Sequence, residues 1–207
     1  WFASVDLTTV AASVTLVQTQ PLFVAAGAVF LLGATLDRRA LLGIAVAIAG
    51  VGVLSLDGLS GAVAPAPLLG NALALAGAVA AAAYVLSGRS IRQRVPLVPY
   101  VLVVYTVAAA GLLAVVLATD APLLGYPPRE WMLFLGMAVG PGILGHTLIN
   151  WALEHVESTL VSVSLVGEPV GSAALAALLF GEVPGVLTLV GGAVAVSGIV
   201  LVAVSQG

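Results

Sequence analysis

The chain has 207 residues, of which 61% are apolar and only 7% charged, with a formal net charge of −3. A water-soluble domain carries charge on about a quarter of its residues, so this chain cannot clothe a soluble surface and reads as a membrane protein in contact with lipid. Cysteine and lysine are absent, which excludes a disulfide scaffold, a thiolate nucleophile and a cysteine metal site, while six arginines at negative net charge argue against a nucleic-acid partner.

The first residue is Trp1, and no basic stretch precedes an apolar core. A signal peptide is therefore not visible, and the expected start lies inside a longer protein. Seven apolar segments follow, at residues 10–33, 41–56, 68–88, 98–119, 131–152, 156–180 and 186–204. All seven read as helices, because lipid offers no partner to an open sheet edge and barrel strands alternate more weakly. Gln20 and Pro21 interrupt the first segment. The second carries Gly43, Ala47 and Gly50, and the last Gly191, Ala195 and Gly198. Residues spaced three and four apart share a helix face, so each set makes a seam for close packing.

Tyr84 and Tyr105 lie within the third and fourth segments and are candidates for solute contact. Tyr100, near Arg94, reads as an interfacial aromatic. In the fifth segment His146 and Asn150 stand four apart on one face, a candidate pair of cavity groups. Glu154 and Glu157 read as loop charges in the short turn that follows.

Glu168 stands twelve residues from either end of the 156–180 run and is followed at once by Pro169. A run of that length spans a bilayer, which places the carboxylate near the hydrocarbon midplane. Such a placement costs roughly 2.5–3.5 kcal/mol on insertion scales and marks proton or solute routes where the acid faces an aqueous path. The structural alternative is an acid bonded across a helix seam, or to a carbonyl freed by Pro169.

Arginine placement gives a sidedness. Arg38 and Arg39 follow the first segment, and Arg89, Arg92 and Arg94 follow the third; Arg129 alone lies on the other side. With five against one, the positive-inside rule puts the first two clusters and the C-terminus in the cytoplasm, for a multi-pass protein of the cell membrane. These arginines read primarily as topology determinants. Asp6, Asp57, Asp120, Glu130 and Glu182 fall on the outer side.

Sliding the chain by 148 residues brings two stretches into register without a gap. Pro21 meets Pro169, Gly33 meets Gly181, Gly43 meets Gly191, Gly50 meets Gly198, and Gln20 falls opposite Glu168. By the loop count the two proline-bearing segments cross in opposite directions. The copies are then inverted, an arrangement that binds solute near the midplane between halves. Three spans precede the final pair of the second copy; the same plan for the first asks for three more before Trp1, ten in all.

The stretches ThrLeuValGlnThrGlnProLeuPhe at 15–23 and GlyAlaThrLeuAspArgArgAlaLeuLeuGly at 33–43 carry a resemblance, as do AlaLeuGluHisValGluSerThr at 152–159, GluProValGlySerAla at 168–173, PheGlyGluValPro at 180–184 and GlyGlyAlaValAlaValSerGly at 191–198. On these the chain resembles EamA-domain proteins of the drug/metabolite transporter superfamily. The resemblance implies an all-α transmembrane bundle of two inverted five-helix repeats, here the last seven of ten helices. Residues 1–60 would be the last two helices of the first repeat, and 61–207 the complete second repeat. Glu182 matches the family's acid after the glycine closing the fourth helix, whereas the first copy has Ala34 and then Asp37. The motifs are nearly silent on substrate.

The expected function is secondary transport or export of a small organic solute, with Glu168, Gln20, His146, Asn150, Tyr84 and Tyr105 as candidate solute or proton groups and Pro21 and Pro169 as helix breaks. Thr15, Thr19, Ser162 and Ser164 share those helices but can return hydrogen bonds to their own backbone. Proton coupling, uniport and exchange all fit these residues, and a homodimer is compatible with them. Two histidines without HExxH spacing give no metal signature; no GxxxxGK motif points to ATP hydrolysis, and no cofactor is implied. The alternatives are a non-transporting membrane scaffold and an intramembrane enzyme using Glu168 and His146, the latter lacking a nucleophile constellation.

Overall fold

The computed structural model describes residues 1–56, 65–119, 122–180 and 185–205, bar the side chains of residues 11, 54, 172, 173, 176, 177, 179 and 180. Asp57, Asp120 and Glu182 fall outside these residues. Every regular element among them is helical.

A single turn, α1 (Phe2–Val5), precedes α2 (Val10–Val17), α3 (Gln20–Leu32), α4 (Arg38–Ser55), α5 (Pro67–Arg92) and α6 (Leu97–Ala118). Next come α7 (Pro128–Met137), a π-helical stretch (Ala138–Gly145) and α8 (His146–His155), then α9 (Ser158–Leu165), α10 (Glu168–Phe180) and α11 (Val186–Ser205). Five helices are long and apolar enough to cross a membrane, among them Ala12–Leu32, Leu97–Ala118 and Pro128–His155. Along α6, Leu102, Val107 and Leu112 are each more than 60% exposed, a surface suited to lipid rather than water. The fold is that of an all-α, multi-span membrane protein.

Local chemistry explains most boundaries. Thr9 Oγ1 accepts the Ala12 N–H at 3.1 Å and starts α2. Asp37 Oδ1 accepts the Ala40 N–H at 2.7 Å and starts α4, so this acid is a helix cap. Gly33, at φ 68°, ends α3 in the left-handed conformation that a glycine adopts without penalty.

Three segments depart from a single α-helix. The first and sixth are not single helices. Each breaks just before its proline, so that Gln20 and Glu168 are the first residues of α3 and α10. A proline's missing N–H costs nothing in a first turn, where no intrahelical acceptor exists for it. In the fifth segment Pro141 lies inside the helix, where an α-helical backbone would press its ring on the carbonyl four residues back. The backbone widens there into the π-helical stretch, flanked and interrupted by Gly140, Gly142 and Gly145.

The residues pack in two compact units, one of residues 1–87 with 157–207 and the other of residues 88–156. The first is centred on Ile44, Ala47 and Val51 of α4, with Ala25, Val163, Val166, Ala195 and Val202. Helices α4 and α11 touch backbone to backbone. A methyl added at Gly50 would lie 2.7 Å from Gly191 O, and one at Gly198 would lie 2.6 Å from Gly43 O. As the α4 number rises from 43 to 50, the α11 partner falls from Gly198 to Gly191, so the helices run antiparallel. A shift of 148 residues turns one contact into the other. The same shift relates the helix starts, from Val10, Gln20 and Arg38 to Ser158, Glu168 and Val186.

Candidate functional site

Six residues were expected to carry function, and they divide between the units. Gln20, Glu168 and Tyr84 belong to the first; His146, Asn150 and Tyr105 belong to the second.

In the first unit the two broken segments face each other, with α3 packed on α9. Gln20 is 7% exposed and Pro21 is buried, while Glu168 is exposed and Pro169 half-buried. A helix that stops at Leu165 leaves its last carbonyls without intrahelical donors. Gln18 Nε2 approaches one of them, Leu165 O, at 3.5 Å. Gln18 is itself buried. Sequence reasoning missed Gln18, which stands three residues before Pro21 rather than beside it. Glu168 stands in the first turn of α10, where the exposed N–H ends of the helix favour negative charge.

The hydroxyls of these helices are largely committed. Thr19 donates to Leu16 O at 2.6 Å, Ser162 to Thr159 O at 2.9 Å and Ser164 to Leu160 O at 2.8 Å. Such back-bonds satisfy a hydroxyl within its own helix turn. Two further polar pairs escaped the sequence reading: Ser4 with Ser13 at 2.6 Å, and Thr8 donating to Asn71 Oδ1 at 2.8 Å. An apolar groove of about 530 Å³ lies along α10 and α11, lined by Val170, Ala174, Thr188, Gly192 and Val196.

In the second unit His146 opens α8 at the end of the π stretch and is exposed, whereas Asn150, one turn on, is fully buried. The shared helix face therefore does not give the two side chains a shared environment. Tyr105 Oη lies 2.8 Å from Thr147 Oγ1, between those two residues in sequence.

The arginines at the end of α5 require a correction. Helix α5 continues through Arg92, so Arg89 and Arg92 occupy its last turn rather than a loop. Arg92 is 2% exposed. Its Nε donates to Asn150 O at 3.0 Å, and its other nitrogens bond Val95 O and pair with the Glu154 carboxylate. Arg89 donates to Leu153 O at 2.9 Å, and Gln93 to Glu154 O at 3.0 Å. Carbonyls toward the end of α8 are thus capped by Arg89 and Arg92 of α5 and by Gln93 just beyond it, partners that a helix C-terminus favours. Glu154 is a member of α8 and of this clamp, not a loop charge. Tyr100 is also reassigned from the interface: it is 7% exposed, and its hydroxyl would lie 3.3 Å from a methyl added at Gly88.

Among the described residues no group of three or more His, Asp or Glu side chains converges as metal ligands do. The molecule is a multi-span helical membrane protein in which two segments, in register at 148 residues, break at the same position. The EamA-like transporter family matches residues 68–204, and the chain belongs to that family. One solved crystal structure superposes on 98% of this chain and 70% of its own with a TM-score of 0.81 at 24% identity, a likeness that speaks for the fold alone. No curated protein matches the chain.

Proposed function

We propose that this protein is a secondary transporter or exporter of a small organic metabolite, with Glu168 and Gln20 at the solute or proton site. The observation that carries this reading is the shared position of the two residues. Each is the first residue of the second half of a broken segment, and transporters bind cargo at such breaks near the midplane. The antiparallel α4–α11 seam supports an inverted arrangement of the copies, residues 1–60 against 61–207, and the arginine bias favours a cytoplasmic C-terminus. Repeat arithmetic asks for three further helices to complete the first copy. His146, Asn150, Tyr84 and Tyr105 are second-rank candidates for solute contact.

The test is flux of small organic solutes into proteoliposomes holding the full-length protein, compared with Glu168→Gln. The expected result is lost flux or an altered pH dependence, with insertion intact. Flux unchanged across a broad range of pH and solutes would reject an essential carboxylate.

A further inference from the structure

The two turns that flank α6 differ in kind. Gln93 and Arg94 lead into the helix, whereas residues 122–128, between α6 and α7, carry no charge and read ProLeuLeuGlyTyrProPro. Leu124 is 77% exposed and Leu123 50%, and Tyr126, Trp131 and Phe134, which follow in the chain, are exposed too. The three rings stand edge to face, with centroids 5.3, 5.8 and 6.3 Å apart. Because α6 and the Pro128–His155 helix are both long and apolar enough to cross a membrane, the turn that joins them lies at a membrane face.

Water is a poor surround for so many exposed apolar groups, and the hydrocarbon core is a poor one for irregular backbone. This turn is suited to the layer between them. Residues 122, 127 and 128 are prolines and bring no N–H. Tyr126 Oη donates to Pro122 O at 2.8 Å, and Pro127 O accepts the N–H groups of Glu130 and Trp131 at 3.0 and 3.3 Å. Gly125, at φ 93°, makes the left-handed bend without a side chain. Few backbone polar groups are therefore left to be stripped of water. We propose that residues 122–128 anchor the chain in the headgroup layer of the bilayer, with Leu123 and Leu124 dipping toward the acyl chains and Tyr126 and Trp131 level with the headgroups. Arg129 and Glu130, which follow, carry opposite charges, so the anchor draws on its apolar and aromatic groups and takes zwitterionic phospholipid as readily as anionic. It holds whether or not the chain carries a solute.

The chain has no cysteine, so a bimane probe can be placed on Leu124→Cys, with the exposed Arg94→Cys as the water-facing reference. The protein is held at one copy per lipid nanodisc. Iodide is expected to quench the probe at position 124 about threefold less than at position 94. A nitroxide near the headgroup end of the acyl chains should quench it more than one near the tail end. Trp131, isolated by Trp1→Phe and Trp151→Phe, should give the same ranking of the two nitroxides without a thiol in the turn. Equal shielding in zwitterionic and anionic-rich discs would support an apolar anchor, whereas shielding that needs anionic lipid would overturn it. Iodide quenching at position 124 as strong as at position 94, with none from lipid, would place the turn in water and overturn the anchor as well. Shielding only where several copies share a disc would give the surface to a second copy, and stronger quenching from the tail end would place the turn inside the hydrocarbon; either result sinks the proposal.

Discussion

Gly50→Ala tests the seam on which both copies lean. The new methyl would stand 2.7 Å from Ala195 Cα and from Gly191 O, where carbon contacts settle at about 3.5–4.0 Å. Both neighbours are backbone, so no side chain can swing aside and the helices must separate by about 1 Å. A gap of that size forfeits up to about half of each ~0.1–0.2 kcal/mol contact. Over roughly 40 atom pairs, the share of one large buried side chain, the loss is up to about 2–4 kcal/mol, overlapping the range of about 1–3 kcal/mol typical of overpacking. Helix propensity returns up to about 1 kcal/mol, leaving a net destabilisation of about 1–3 kcal/mol. Gly111→Ala in α6 is the control, because a methyl there meets nothing within 4 Å; it should be neutral or slightly stabilising. Reversible unfolding in mixed micelles measures both. Gly50→Ala as stable as Gly111→Ala would refute the close approach of α4 and α11. Gly198→Ala on top of Gly50→Ala should add less than its own cost, since helices already parted have room for it.

Two more outcomes follow from the geometry. Arg92→Met should destabilise the second unit by about 2–3 kcal/mol through lost charge-assisted bonds to the end of α8. Glu154→Gln should cost less than about 1 kcal/mol, because that carboxylate is 42% exposed and screened; thermal unfolding in detergent ranks the two, and equal losses would contradict the clamp. Gly33→Ala should cost about 1–2 kcal/mol from its positive φ, with no steric contribution since nothing lies within 4 Å; a variant as stable as the parent protein would show that α3 does not end there in the left-handed conformation.

The apolar segments were legible because lipid exposure forces long hydrophobic runs, and the helices fall where those runs do. The 148-residue register was legible too, since prolines and glycines punctuate both copies, and it is also the spacing of the helix starts. The breaks themselves were only half visible. A proline in an apolar run reads as a kink inside a helix, yet Pro21 and Pro169 each sit in the first turn of a new one, two residues past the true interruption. The π stretch left a trace in the proline and glycines around residue 141, but nothing in the sequence distinguishes widening from breaking there. Arg92 was misread for a different reason. An arginine at the edge of an apolar run satisfies the positive-inside pattern whether it faces water or a helix end, and only packing shows that it is buried against Asn150 and Glu154.

Gln20 and Glu168 hold the same position in two copies of one motif, yet one is an amide and the other a carboxylic acid. The difference matches their burial: Gln20 is buried and Glu168 exposed, and a charged carboxylate resists the burial that an amide tolerates, whereas a neutral acid closely resembles the amide in size and polarity. On the transport reading, an acid at only one of the two matched breaks would tie any proton to one copy, a distinction that a pair of glutamines there would lack.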